Sequence, residues 1–573
     1  MASNQSLSQG SASTLLQSRP RPPSQRLSYP RQRAIRACQL CRARRTKCDN
    51  KKPTCSFCEK IGVECVTSDG ENPVLDTASL KILQRLDDLE TLVKSLQLPT
   101  VSPSDTARTK EQASQLRVTT EALLSWAVFR AHYDTRCDLK RLLRGDPSST
   151  ASVASPTSID SFATAGELEP TSCKRSLDNF FHFVHVKNPM LDEGKVRLAV
   201  HRVCLEGPAW DAESCLVLLV CALGSIASSF DGSSVTGVDM RSMAVAQSYF
   251  NAAQKRIGTI TGTGGVLEAQ CFFYSGVYLM SKLQPIKAWR LFTQALACCQ
   301  EFSCANSSYA GSSGGVSSVG RGLPEEECVY WSCWKSEIEL RMCLDLPDFP
   351  FNDLSYPLLF PTPPAPFEGK DATAWYFYLS EISLRRLEHR VRDEISNVLK
   401  GDDSASKSDL YTSTAAFEGL AEEWLQSLPH PMNLHTPQAE DDVLRFILRG
   451  HFLNLWEVIY WPFFEKFFNQ RSSEPHVEIY VRKGLQIGID RIRINKPGFC
   501  HRHHGTWLML QSCTRSALAL LAAAYCPEAT VLLPNDWKEA VFDTIELLRY
   551  WQDEVADAAD RLQILEELIS VIS

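Results

Sequence analysis

Six cysteines fall between Cys38 and Cys65 in two blocks, CQLCRARRTKC and CSFCEKIGVEC. Each block spells Cys-x2-Cys-x6-Cys, starting at Cys38 and again at Cys55, so the segment is an internal repeat. A Cys-x2-Cys pair places two thiolates on one metal, and a short helical run leads from it to the third sulfur. Tetrahedral zinc takes four ligands. One zinc leaves two of these sulfurs idle, and two zincs need eight ligand positions from six sulfurs. The shortfall closes when two thiolates each bridge both metals, and the symmetry of the repeat points to Cys38 and Cys55. A zinc ribbon on Cys38, Cys41, Cys55 and Cys58 leaves Cys48 and Cys65 unexplained. Classical fingers and RING-type sites want histidine, and residues 38–65 contain none. A redox Cys-x2-Cys wants a βαβ setting, which the segment lacks.

The rest of the chain sharpens this reading. Lys and Arg number 60 against 67 Asp and Glu, a net charge of −7. Residues 1–65 nevertheless hold 13 Lys and Arg against three acids (Asp49, Glu59, Glu64), a surplus of ten, which leaves −17 for the remainder. Two Zn²⁺ with six thiolates sum to −2, too little to account for that basic surplus as local compensation. A basic end on an acidic body is the pattern of a nucleic-acid contact. A helix pinned at both ends by zinc thiolates and carrying Arg42, Arg44, Arg45 and Lys47 can neutralise phosphates and bring an Arg to a base edge. Arg42, Lys47, Lys51 and Lys52 are best cast as phosphate contacts. The other 15 of the 21 cysteines are scattered and read as small buried hydrophobes. The N-terminus has no apolar stretch of a secretory signal. The most apolar runs, Cys215 to Ala227 and Ala517 to Tyr525, are shorter than the ~18–20 residues a bilayer needs, so no membrane partner is expected.

The unbroken cysteine spacing, the basic run Arg42-Ala43-Arg44-Arg45-Thr46-Lys47 and the Lys52-Pro53 loop before the fourth cysteine resemble the fungal zinc binuclear cluster (Zn2Cys6) transcription factors. The resemblance implies two Zn²⁺ per chain, bridged by Cys38 and Cys55, and a first helix that enters the DNA major groove to read a CGG triplet. Base readout would fall on Arg44 and Arg45, where many relatives carry Lys. Arg keeps the charge and can fork onto guanine O6 and N7. The family also implies a nuclear protein that meets transcription machinery or coactivators, and in some relatives a small-molecule effector.

Leu75, Ile82, Leu86, Leu89, Val93 and Leu96 alternate at spacings of three and four, with Ser79 in one seam position. That is a heptad seam of about three repeats ending before Pro99. It reads as a coiled coil that makes a homodimer on bipartite double-stranded DNA; a single helix docked on its own chain is the alternative. The resulting organisation is a disordered basic tail (1–34), the cluster domain (35–68), a linker (69–74), the coiled coil (75–98) and a linker with one helix (99–174), the helix running from about Thr119 to Arg144. An all-α regulatory domain (175–573) follows. The expected fold is thus a small zinc-dependent domain of two short helices around two Zn, a short coiled coil and a large all-α body. Stretches such as NFFHFVHVKNPML, VYLMSKLQPIKAWRLF and RHHGTWLMLQSC resemble the family's middle homology region.

Candidate chemistry in the body weighs poorly, and no enzyme is expected. Gly311-Ser312-Ser313-Gly314-Gly315 matches G-x-S-x-G without the strand–turn–helix setting of a nucleophile elbow. Gly262-Thr263-Gly264-Gly265 lacks the Lys of a phosphate loop and reads as a turn between helices. Cys500-His501-Arg502-His503-His504 reads as capping and hydrogen bonding at a helix start near Gly505, with a second metal as the rival. The acids from Asp553 to Glu567 suit an activation segment, while Leu562, Ile564, Leu565, Leu568 and Ile569 equally suit a packed helix. The function expected is a sequence-specific, DNA-binding transcription regulator. The competing reading is a zinc-stabilised interaction or ligand-sensing factor that reaches chromatin through partners.

Overall fold

Helix-start chemistry recurs along the chain and sets the element boundaries. Asp192, Asp211 and Asp442 accept hydrogen bonds from the backbone N–H three residues on, at 3.1, 2.8 and 2.9 Å, and prolines 170, 285 and 475 occupy first-turn positions. Both devices satisfy or remove donors that a helix start leaves unpaired. The computed structural model describes residues 38–65 (other than 39, 42, 43, 45 and 50), 116–129, 169–230, 240–306, 324–346, 360–363, 369–400, 404–471, 474–555 and 557–572. Among these residues there is helix and no strand. The coiled-coil segment 75–98, with Leu75, Ile82, Leu86, Leu89, Val93 and Leu96, lies outside the described residues. So do the 1–34 tail, Arg42, Arg45 and the 311–315 tract.

The chain divides into two units, residues 1–104 and 105–573. In the first, helix α1 (Ser56–Ile61) follows Cys55 and ends at Gly62, whose φ of 66° lets its N–H turn back to the carbonyls of Cys58 and Glu59.

The second unit is built from α2 (Thr120–Leu124), α3 (Pro170–Asn179), α4 (Glu193–Glu206), α5 (Ala212–Ile226), α6 (Met240–Ile260), α7 (Val266–Ser281), α8 (Pro285–Cys298) and α9 (Pro324–Cys343). It continues with α10 (Gly369–Lys400), α11 (Ser404–Gln426), α12 (Val443–Phe464), α13 (Pro475–Asn495), α14 (Thr506–Tyr525), α15 (Trp537–Trp551) and α16 (Ala558–Ile572). Two helices are apolar nearly all round, α5 (CLVLLVCALG) and α14 (ALALLAAA), and both are central. Helix α5 packs on α3, α6 and α7; α14 packs on α13, α15, α16 and α2. At the crossing of α3 and α5 a Cβ on Gly224 would stand 1.8 Å from the Ser176 carbonyl oxygen, so only glycine permits this approach. The Gly262–Gly265 stretch is the turn between α6 and α7, as its composition indicates.

One segment differs from the sequence reading, and a second takes one of the two forms that reading left open. The helix expected over Thr119–Arg144 ends at Leu124, with residues 125–129 in turns. Continuing the helix would carry Trp126 and Phe129 off their partners: Trp126 stacks on Phe468 (centroids 6.0 Å apart) and meets Trp461 (5.3 Å), and Phe129 meets Tyr525 edge-on (6.3 Å). Burial of these rings outweighs the few hydrogen bonds of further helical turns. Leu116, Val118, Leu123, Trp126 and Phe129 consequently join the main core, although the surrounding composition reads as linker. The second segment is the acidic C-terminal stretch. Leu562, Ile564, Leu565, Leu568 and Ile569 on α16 are buried, and Asp557 is buried with Gln511 Nε2 and Trp507 Nε1 donating to its carboxylate. This stretch packs as core.

Candidate metal centre and nucleic-acid interface

Both halves of the cysteine repeat open the same way: a Cys, two residues, then a second Cys at the start of a helical turn. Leu40 and Cys41 are helical, and the turn continues with Arg44 N–H donating to the Leu40 carbonyl (3.0 Å) and Thr46 N–H to that of Cys41 (3.0 Å). In the second half Cys55 precedes α1 and Cys58 lies on it. The repeat folds onto itself so that the six sulfurs form two groups of four, Cys38, Cys41, Cys48 and Cys55, and Cys38, Cys55, Cys58 and Cys65. In each group the sulfurs all lie within 4.8 Å of one another. Cys38 and Cys55 stand in both groups, as bridging thiolates must.

The separations fit the metal. Four sulfurs about 2.3 Å from a tetrahedral zinc stand about 3.8 Å apart. The Cys38–Cys55 and Cys41–Cys55 sulfurs are 3.7 Å apart and Cys38–Cys58 are 3.5 Å apart, close to tetrahedron edges and far beyond the ~2 Å of a disulfide. Cys38, Cys41, Cys55 and Cys58 are buried, so they form a small core in their own right. The Cys41 backbone N–H holds the Cys38 thiol below its ordinary range, and the Cys58 N–H does the same for Cys55. Burial pushes Cys41 up to about 12 and raises Cys58 as well. The six-sulfur donor set, with no other ligand type in it, fits two Zn²⁺.

One feature of the centre escaped the sequence. The Asp49 carboxylate accepts from Ser56 N–H (3.0 Å) and from Ser56 Oγ–H. It thereby ties the residue after the third cysteine to the start of α1, and those hydrogen bonds hold its carboxyl below the usual range. An Asp and a Ser each directly following a cysteine in the repeat were the available signal.

Around this centre the described basic residues Arg44, Lys47, Lys51 and Lys52 are exposed, while all the acids of the segment (Asp49, Glu59, Glu64) are exposed as well. Arg42 and Arg45 lie outside the described residues. The geometry therefore presents a basic, solvent-facing surface on a metal-fixed scaffold, which is what contact with phosphates requires.

In the second sequence cluster, Cys500–His504, hydrogen bonds organise a helix start. His503 Nδ1 accepts from Gly505 N–H (2.9 Å), Thr506 Oγ1 accepts from His503 N–H (2.9 Å), and Thr506 Oγ1–H donates to the His501 carbonyl (3.0 Å) at the start of α14. Among the described residues only the six cysteines of the repeat gather as a metal-ligand group. No described helix is long and apolar enough to cross a membrane.

A two-lobed thiolate centre of this kind defines the class of the N-terminal unit. Residues 36–72 match the fungal Zn(2)-Cys(6) binuclear cluster domain, and this segment is such a domain. Two relatives extend the comparison. The chain is 26% identical over 274 residues to the Aspergillus rugulosus protein named "Putative transcription factor ecdB", covering 45% of each chain. It is 49% identical over 43 residues to "Regulatory protein CAT8" of Saccharomyces cerevisiae, covering 8% of this chain and 3% of that protein. The matches thus span less than half the length of either relative.

Proposed function

We propose that the chain is a nuclear, sequence-specific DNA-binding transcription regulator. Its reading head is the zinc cluster, with Cys38, Cys41, Cys48, Cys55, Cys58 and Cys65 as ligands and Cys38 and Cys55 as bridges. The observation that carries the proposal is the pair of four-sulfur groups sharing Cys38 and Cys55 inside a segment with a surplus of ten positive charges. The names of both relatives, a transcription factor and a regulatory protein, support it. In this reading Arg44 and Arg45 reach the base edges of a CGG half-site, and Arg42, Lys47, Lys51 and Lys52 hold phosphates. The heptad segment 75–98 pairs two chains, so the site is bipartite. The all-α unit is the regulatory part, meeting coactivators and answering an effector.

Fluorescence anisotropy of the full-length protein on labelled duplexes tests this. Binding is expected to favour CGG-containing duplexes over scrambled triplets, to vanish with a strong chelator and to return with zinc. Its affinity should fall steeply with salt as phosphate counterions are released. Equal affinity for scrambled duplexes would overturn the base-reading assignment, and salt-independent or absent duplex binding would favour a factor that reaches chromatin through partners.

A further inference from the structure

The all-α unit contains a cavity of about 100 Å³ where elements distant in sequence meet. A second, of about 80 Å³, adjoins it, sharing Glu339, Asn454, Leu508 and Ser512 as walls. What distinguishes the first is a lysine in its wall. Lys187 is buried and has no ion-pair partner among the described residues. The other charged side chains of that wall are spoken for: Lys335 pairs with Glu381, Glu339 with Arg385, and Arg491 with Glu457, which it shares with Arg515. Lys187, Lys335 and Arg491 against Glu339 and Glu381 leave the lining with a positive surplus of one. An unpaired buried ammonium is costly.

Beside His451 Nδ1 and Arg491 Nε, two further atoms of the same wall lack a hydrogen bond. Asn188 Oδ1 and His503 Nε2 are buried without a hydrogen bond. The tautomer of His503 follows from its neighbours: Nδ1 accepts from Gly505 N–H, so a neutral ring carries its proton on Nε2. Burial, with Lys187 next, holds this imidazole well below its ordinary range, hence neutral. His503 thus offers a donor and Asn188 an acceptor. The turn that carries Lys187 and Asn188 is fixed from outside, with Leu191 N–H donating to His185 Nε2 (3.1 Å), Gln270 Nε2 to the Met190 carbonyl (3.1 Å) and Tyr274 Oη to the Asn188 carbonyl (3.4 Å). The polar groups are therefore pre-positioned, and Phe377, Phe446 and Leu508 supply apolar wall beside them.

We propose that this cavity is a binding site for a small hydroxycarboxylate, its carboxylate neutralised by Lys187 and its hydroxyl donated to Asn188. The His503 Nε2–H is the second donor to the anion. A cavity of about 150 Å³ accommodates the six non-hydrogen atoms of benzene, so this space of about 100 Å³ suits a molecule of about four to six non-hydrogen atoms. The site stands on the residues of the all-α unit alone. Only its role as an effector site rests on the regulatory reading above.

Calorimetry on the full-length, zinc-loaded protein with glycolate, lactate and 3-hydroxypropionate, and with neutral lactamide as control, tests the site without involving DNA. At least one of the three acids is expected to bind saturably and lactamide not to bind. Lys187→Met should weaken that acid at least tenfold while raising the melting temperature of the unliganded protein, and Lys187→Arg should retain binding. Asn188→Leu should abolish the preference for lactate over propionate. No saturable binding of any of the three acids at tens of millimolar, or unchanged binding in Lys187→Met, would overturn the proposal. Because DNA plays no part in the readout, loss of this site and loss of the DNA-binding reading are separate results.

Discussion

Replacing one thiolate of the cluster distinguishes bridging from terminal ligands. Cys38 belongs to both four-sulfur groups and Cys48 to one. A structural zinc in a thiolate site contributes about 10–16 kcal/mol, or about 2.5–4 kcal/mol for each of its four bonds. Cys48→Ser removes one such bond and leaves the Cys38, Cys55, Cys58, Cys65 group whole. One metal should then bind as in the parent and the other about two to three decades more weakly. Cys38→Ser strips a ligand from each group, so both metals should weaken by that factor and the loss should be about 5–8 kcal/mol in all. Titration with a competing chromophoric chelator, read alongside zinc content by mass spectrometry, measures both affinities. One tight zinc is expected to survive in Cys48→Ser and none in Cys38→Ser. If the two variants retained the same tight zinc, the shared-thiolate geometry would be refuted.

Three other substitutions probe different parts of the chain. Gly224→Ala places a methyl 1.8 Å from a backbone oxygen that cannot yield, and should lower stability by at least about 1–3 kcal/mol in denaturant unfolding. Arg45→Ala should cost about 1–3 kcal/mol at one base and flatten discrimination there; an equal loss on every duplex in anisotropy would make it a phosphate contact. Burial raises the Glu457 carboxyl, but Arg515 and Arg491 outweigh it and hold it below its ordinary range. A folded value below the unfolded one gives stability that is complete above the ordinary carboxylate range and is lost as pH falls through the folded value. Glu457→Gln should therefore flatten the acid limb of a melting-temperature profile. It should also cost about 3–5 kcal/mol at neutral pH, because two buried guanidiniums lose their counter-ion.

The cluster was legible because metal-ligand chemistry is written locally: spacing and ligand arithmetic are enough to single out Cys38 and Cys55. The Asp49–Ser56 bond was not, since an Asp and a Ser in a turn signal many structures. Helix α2 was overextended because its periodicity cannot show that Trp126 has Trp461 and Phe468 waiting for it across the core. The C-terminal stretch was ambiguous for a related reason. Its apolar residues keep helical spacing, but only the contacts of Asp557 with Gln511 and Trp507 show an acid serving the interior. The cavity was invisible, because Lys187, Glu381 and Arg491 come from segments more than a hundred positions apart, and a lone lysine in a sequence does not announce that it lacks a partner.

Helix α16 carries a consequence for how the chain is made. Arg561 on this helix pairs with Glu121 on α2, and α2 rests on α14. Residues 116–129 leave the ribosome long before either partner exists, so their two aromatic rings must wait, exposed, through most of the synthesis of the unit. Translation that stops short of Arg561 leaves this segment without its clasp. A nascent chain halted earlier, before Trp461, Phe468 and Tyr525, should recruit chaperones through Trp126 and Phe129, although it already carries every cysteine of the metal centre.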